Sequence, residues 1–451
     1  MVAGSSHAVI ELNDSEIRVA KGADIILRSP GYAIVSKDRI ELGSAAVRQA
    51  RLNPRAMHNR YWHDLNQIPL PAPTARMRHH ADLAYAHLLA IHEQAGKPED
   101  VLFAVPGYYS NEQLSLLLGL VEASPFNAIG LVDAAVAAAA SQAGPGTCVH
   151  AEIHLHQTVL THIDITHEVN RSSVQVIDGA GLARAMDDCA AMIAELFIKQ
   201  SRFDPQHHAE TEQSLYDQIP HCLLALCFRP EVVIEIPYHK TTYLAKLPRQ
   251  AMIEALQPLY RKISAAMPAA GSGLVGDRLA GLPGFVEQLN AARASAVQVL
   301  APDNVFQGCR QQIDSIRSSG PALNFVTRLP AAAVPFAVST ARAGSATVAS
   351  PRRQEEADNW PVTHILSAHR AYPLTSRPLY LSALTGEVSE NGEHAHCSIS
   401  STGGRTLVQA ESGLAVILNG QHIDTPASVR AGDIMSFAGA KTEYTFINVK
   451  N

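Results

Sequence analysis

Val101–Val105 is a short apolar run closed by Pro106-Gly107, the pattern of a buried strand ending in a turn. Ser110 stands three residues before Gln113, a capping box, and Leu114, Leu117, Leu118 and Val121 then recur on one face of a helix. Ala128–Val132 predicts a second buried strand, followed by Asp133 and a run of alanines that fits only a closely packed helix. Before this unit the chain alternates over His7–Leu12, turns at Asn13-Asp14 and returns over Ser15–Ala20, a hairpin. Further strands are expected at Tyr32–Val35 and Arg39–Leu42, and a helix over Ala75–Gln94, closed by Gly96 and Pro98.

The same grammar recurs after Gly144-Pro145-Gly146. Cys148–Ile165 reads as strand with a turn near His156, and Val174–Ile177 as another strand. Leu182–Lys199 reads as helix, Val232–Ile236 with Thr241–Leu247 as a hairpin, and Arg249–Ala266 as a helix started by Pro248. His7–Ala20 and His150–Ile163 form a faint internal repeat that sets Glu11 opposite Glu152. Residues 330–359 are rich in Ala, Ser, Pro and charge without periodicity, a linker. Beyond them only short alternating strands follow, at Leu379–Leu381, Cys397–Ile399, Leu407–Gln409, Val416–Leu418 and Tyr444–Val449, which predicts a small β-sandwich.

Composition narrows the class. The chain has 451 residues, room for two to four domains, and its 17% of charged residues lies below the usual share of about 25%. A net charge of −6 leaves no basic footprint for nucleic acid. No apolar run approaches the roughly 20 residues of a membrane span, so no membrane insertion is expected. The N-terminal MVAGSSHAV lacks the basic start and apolar core of a signal peptide, which makes the cytoplasm the expected location. The six cysteines form no C-x-x-C pair and read as buried thiols. Walker A, H-E-x-x-H and G-x-S-x-G sequences do not occur.

Strand, Pro-Gly, capped helix, strand, acid and Ala-rich helix, in this order over residues 101–140, resemble the nucleotide-binding domain of the DnaK-type heat-shock chaperones. SPGYAIVSKDRIELGSAAVRQARLNP, which begins at Ser29, and Gly271–Phe285, GSGLVGDRLAGLPGF, resemble two further phrases of that family. The resemblance implies an α/β, two-lobed actin-like ATPase fold with ribonuclease H-like halves, followed by a small all-β sandwich. It places lobe I at 1–143, lobe II at 144–329, the linker at 330–359 and the sandwich at 360–451. It also implies a Mg-ATP site between two glycine-rich hairpin turns. Glycines serve there because backbone amides must approach phosphate closely, often with positive φ.

In this chain the first turn reads Glu11-Leu12-Asn13-Asp14-Ser15 and the second Glu152-Ile153-His154-Leu155-His156-Gln157, without glycine. The family's lysine maps to Asn59, before Arg60, and its remaining acid to Asp133. The resemblance thus leaves Glu11, Asp133 and Glu152 as the acids around magnesium if the site is active. Asn13, Ser15, His154, Gln157, Gly273 and Gly276 are then vestigial nucleotide contacts. The G-x-G-x-x-G at Gly271, Gly273 and Gly276 follows a helix rather than a strand, which rules out a dinucleotide fingerprint. His150, Glu152 and His154 share one strand face by their period of two and could bind zinc; the expectation is instead a polar face lining a vestigial cleft, with no metal. His79, His80, His87 and His92 are expected to be solvated along their helix.

His396-Cys397, Asn419-Gly420 and Ala431-Gly432-Asp433-Ile434 resemble, in this order, the signature of forkhead-associated domains. That resemblance implies peptide binding, with Ser382, Ser389 and Asn419 as candidates. The family's phosphate-reading arginine position is Ala383, which removes the main charge-assisted contact to a phosphothreonine. The expectation is therefore a non-catalytic or weakly nucleotide-binding scaffold that engages other proteins through its C-terminal module. The alternatives are an active Mg-dependent ATPase of chaperone type and a phosphothreonine-binding adaptor.

Overall fold

The protein is described here by a computed structural model. It covers residues 7–331 except 23, 38, 143, 269–270, 294 and 319–322. It also covers 362–367, 370–374, 378–381, 388–389, 396–402, 405–410, 416–418, 421–423, 427–429, 433–437 and 443–447. The expected linker falls almost wholly outside these residues, as do Ser382, Ala383, Asn419 and Gly420. The chain is mixed α/β with several sheets and divides into two compact units, Met1–Ala337 and Val338–Asn451, the second all-β in its described residues. No helix among the described residues is long and apolar enough to cross a membrane.

The first unit is built on two six-stranded sheets. In the first, Ala8–Glu11, Ile17–Lys21 and Asp24–Ser29 form an antiparallel meander. Asp100–Val105 and then Asn127–Asp133 add on the free side of Ala8–Glu11 in parallel, and Phe325–Val326 returns to the edge. The second sheet repeats this order. Gly146–Ile153, Gln157–Ile165 and Glu168–Asp178 make the meander. Ser272–Val275 and Gln298–Val299 add in parallel beside the first strand, and Arg328–Pro330 closes the other edge. The strands at the centre of the first sheet are buried on both faces, so Ala8–Ile10 and Val101–Val105 are continuous apolar runs rather than alternating ones.

The alanine run explains how the two sheets pack. Asp133 caps Ala134–Ala140 by accepting the Ala135 and Val136 amides at 2.9 and 3.4 Å. Ala135–Ala140 are all buried, in one core with Leu102 and Ala104 of the first sheet and Cys148 and Ile163 of the second. Side chains this small let the helix lie close to its neighbours. The helix Asn304–Gln311 approaches so near that a Cβ at Gly308 would overlap the Ala137 carbonyl.

Most expected elements lie near their predicted places, and two expectations are corrected. The helix expected from Ala75 starts at His80, because the Asp82 carboxylate accepts the Arg78 and His79 amides at 2.7 and 3.1 Å and fixes the first turn there. The histidines along it are not all solvated: His87 is fully buried and His92 nearly so, packed against Phe126. His87 Nδ1 accepts from the Trp62 indole at 3.0 Å and the Tyr61 hydroxyl at 2.8 Å, which leaves Nε2–H to donate to Ser29 Oγ at 2.8 Å. Burial pushes its pKa down to about 3, so it is a neutral structural bridge. The chain also forms a helix over Ala209–Leu226, which no expectation covered, despite Pro220 in its interior; its buried face of Leu215, Ile219, Leu223 and Leu226 outweighs the lost backbone bond.

The second unit packs two antiparallel sheets, of six and five strands, around Ile365, Leu381, Ile399, Val408, Phe437 and Phe446. Ser389 pairs with Tyr380 at an edge of the five-stranded sheet.

Gly308→Ala tests the helix packing. The added methyl must force the Ala134–Ala140 and Asn304–Gln311 helices apart, a loss of about 1–3 kcal/mol of stability measurable by urea unfolding. An unchanged midpoint would contradict the close approach.

Candidate functional site

The two turns singled out in the sequence meet each other directly. Asn13 Oδ1 accepts from the Ser15 amide at 3.0 Å and the Ser15 hydroxyl at 2.7 Å, an Asx turn that shapes the first loop. Asn13 Nδ2 donates across to the Ile153 carbonyl at 3.0 Å. The Leu155 amide donates back to Asp14 Oδ1 at 2.7 Å, and His154 Nδ1 lies 3.5 Å from the same oxygen. Burial works to raise the Asp14 pKa, but His154 and the Leu155 amide outweigh it and hold the carboxyl below its usual value. Gln157 closes the second turn by accepting the His154 amide at 2.8 Å. His156 Nε2 reaches the Asn59 carbonyl at 2.8 Å, while Arg60 pairs with Asp64.

Beside the turns lies a buried ionic cluster. Arg278 donates to both oxygens of Glu11, at 2.9 and 3.0 Å, and to the Glu16 carbonyl at 2.9 Å. Its Nη1 is also 3.5 Å from Glu152, so the one guanidinium bridges the first strands of the two sheets. Arg18 makes a second fork, 2.9 and 2.8 Å to Asp277, and reaches Glu16 at 2.6 Å, where Arg28 joins at the same distance. Bidentate charge-assisted pairs of this kind fix geometry as well as supplying energy.

Gly276 has a specific role in the cluster. It leads from the strand Ser272–Val275 into the short helix that carries Asp277 and Arg278, and a Cβ there would collide with the Glu152 carboxylate. Gly273 lies within that strand, against Val297.

Charge counting explains the odd member. Arg18, Arg28 and Arg278 balance Glu11, Glu16 and Asp277, and Glu152 is the fourth acid. Burial pushes its pKa up to about 8, against the pull of Arg278, so it holds its proton at neutral pH. His150, 4.0 Å from it, is pushed down by burial to about 4 and is neutral. Glu11, Asn13, His150, Glu152 and His154 share one cavity of about 20 Å³, room for about one water.

Asp133 is held apart from this cluster. It is fully buried, caps its helix and pairs with Arg171 at 2.7 Å; Arg171 also donates to the Gly107 carbonyl. Burial raises its pKa against these partners. Among the described residues no group of three or more His, Cys, Asp or Glu side chains is disposed to hold a metal ion.

Arg18, Asp277 and Arg278 are absent from the candidates read in the sequence. One signal was available: Arg18 interrupts the apolar Ile17–Ala20 strand, and a charge at a buried strand position requires a partner. No protein-family model matches the chain, and no curated protein does.

Two outcomes follow. Glu11→Leu leaves Arg278 buried with its main partner gone and should cost about 3–5 kcal/mol, whereas the double variant Glu11→Leu/Arg278→Met should recover most of it. Additive losses in urea melts would contradict the pairing. In the second, an unfolded Glu152 loses its proton near 4.5 while the folded one holds it to about 8, so its term lowers stability as pH rises between those values. His150 acts oppositely, its term lost as pH falls from 6.5 to about 4. The Glu152 loss is therefore uncompensated between pH 6.5 and 8. The melting temperature should fall across that window in the native chain and stay flatter in Glu152→Gln.

Proposed function

We propose that the first unit is a two-lobed actin-like body of the DnaK type whose nucleotide site has been replaced by protein, and that the chain works as a non-catalytic scaffold. One observation carries the reading: the two hairpin turns bond to each other, and Arg278 with its carboxylates occupies the space beside them, leaving about 20 Å³. In the resembled family those turns enclose phosphate. Here the cations that could attract phosphate already face carboxylates, the acids that could hold magnesium already face arginines, and the turns offer no glycine amides. The repeated strand order of the two sheets supports the actin-like assignment.

Function on this reading rests on contact with other proteins, and the second unit is the interaction module. Its two packed antiparallel sheets fit a forkhead-associated-like sandwich. Ala383 at the arginine position favours recognition without phosphate, through neutral hydrogen bonds worth about 0.5–1.5 kcal/mol each.

Calorimetry of the full chain with Mg-ATP should give no binding heat up to millimolar nucleotide. Micromolar affinity, or ATP turnover abolished by Glu152→Ala, would establish the active ATPase instead. A phosphothreonine peptide library passed over the full chain should be retained no better than its unphosphorylated counterpart. Selective retention of the phosphorylated library would make the protein a phospho-adaptor.

A further inference from the structure

A second cavity, of about 490 Å³, lies away from the ionic cluster, within the range typical of small-molecule sites. One wall comes from the segments around Tyr32, Val47–Arg51 and Met57; the other comes from Ala183–Asp187 and from Gln213–Pro220 of the Ala209–Leu226 helix. The walls are tied together. The Arg51 amide donates to Gln213 Oε1 at 2.8 Å, and Gln213 Nε2 donates to the Val47 carbonyl at 3.0 Å. Arg51 Nη2 meets Asp187 at 2.8 Å, and the guanidinium lies 3.5 Å over the Tyr216 ring. The cavity is therefore preformed, which lowers the ordering cost of binding.

Its charges sort into occupied and available. Arg51 is neutralised by Asp187 and Glu212 and covered by Tyr216, whose hydroxyl donates to Asp187 at 2.7 Å. Two opposite charges remain, one on each wall. The Arg48 side chain is exposed and makes no hydrogen bond or ion pair among the described residues. Among the described residues the Asp217 carboxylate accepts only from Gln213, at 2.8 Å, and forms no ion pair. The same lining offers Val47, Met57 and Met186.

We propose that this cavity binds a small zwitterion with an apolar body, an unblocked dipeptide or a free amino acid, its carboxylate on Arg48 and its ammonium on Asp217. The guanidinium fork suits a carboxylate, and methionine side chains adapt to varied apolar groups. The proposal does not depend on how the ionic cluster is read.

The test is calorimetry on the full chain with Leu-Leu, Phe-Leu, free leucine, N-acetyl-Leu-Leu and Leu-Leu amide. At least one unblocked zwitterion should bind, and blocking either end of Leu-Leu should weaken it by about tenfold or more. Arg48→Ala should abolish the difference between Leu-Leu and its amide. Asp217→Asn should abolish the difference between Leu-Leu and its N-acetyl form. Both side chains are exposed, so neither variant threatens folding, which circular dichroism checks. Tighter binding of leucine than of the dipeptides would assign the site to a free amino acid. No heat from any unblocked compound at millimolar concentration, equal affinity for the blocked forms, or displacement of Leu-Leu by Mg-ATP would overturn the proposal.

Discussion

One buried guanidinium organises the first unit. Arg278 is held by Glu11 from one sheet, Glu152 from the other and the Glu16 carbonyl, and it is almost wholly removed from water. A charge in that position is tolerable only with its partners in place, so the partners fix how the sheets approach. The close contact at Gly276 and the Arg18–Asp277 fork surround this charge between the sheets, while burial keeps Glu152 neutral against its pull and His150 neutral nearby. A buried ion pair of this kind adds little net stability over an apolar pair, but it penalises every arrangement that separates the partners. It therefore favours a single closed geometry.

That constraint bears directly on the proposed function. A nucleotide site needs empty space, free cations or amides for phosphate, and acids free to hold a metal. The cluster supplies the right residue types but joins them to one another. Away from it, Gln213 and Arg51 tie the same unit together at a second place without filling the space between the walls. One region is thus closed by ion pairs, and the other is held open by a rigid frame.

The histidines show how chemistry depends on place. His87 lies on a helix whose sequence suggests a solvated polar face, yet it accepts from Trp62 and Tyr61 and donates to Ser29 in the core. His150 lies on the strand face expected from the period of two, whereas His154 lies in the turn just beyond that strand; both are buried against carboxyl groups, and among the described residues they join no metal-ligand group. Spacing alone could not separate these roles, because partners from other elements set the protonation and hydrogen bonding of each ring.

The sequence by itself determined the local elements. Ser110 and Gln113 cap a helix, Val101–Val105 is a buried strand, the alanine run follows Asp133, and short alternating strands make an all-β C-terminal region. These depend on neighbours within a few residues, where periodicity and capping act. It also placed Glu11 and Glu152 at matching positions of two hairpins. Only the tertiary structure decided what faces them. Arg278 lies 267 positions from Glu11, and Arg18 lies 259 from Asp277. No periodicity links such partners, because the pairing is made by two sheets packing on one alanine helix. The helix start at His80 and the helix through Pro220 were likewise settled by a reaching carboxylate and by a buried face, which act across turns and between elements.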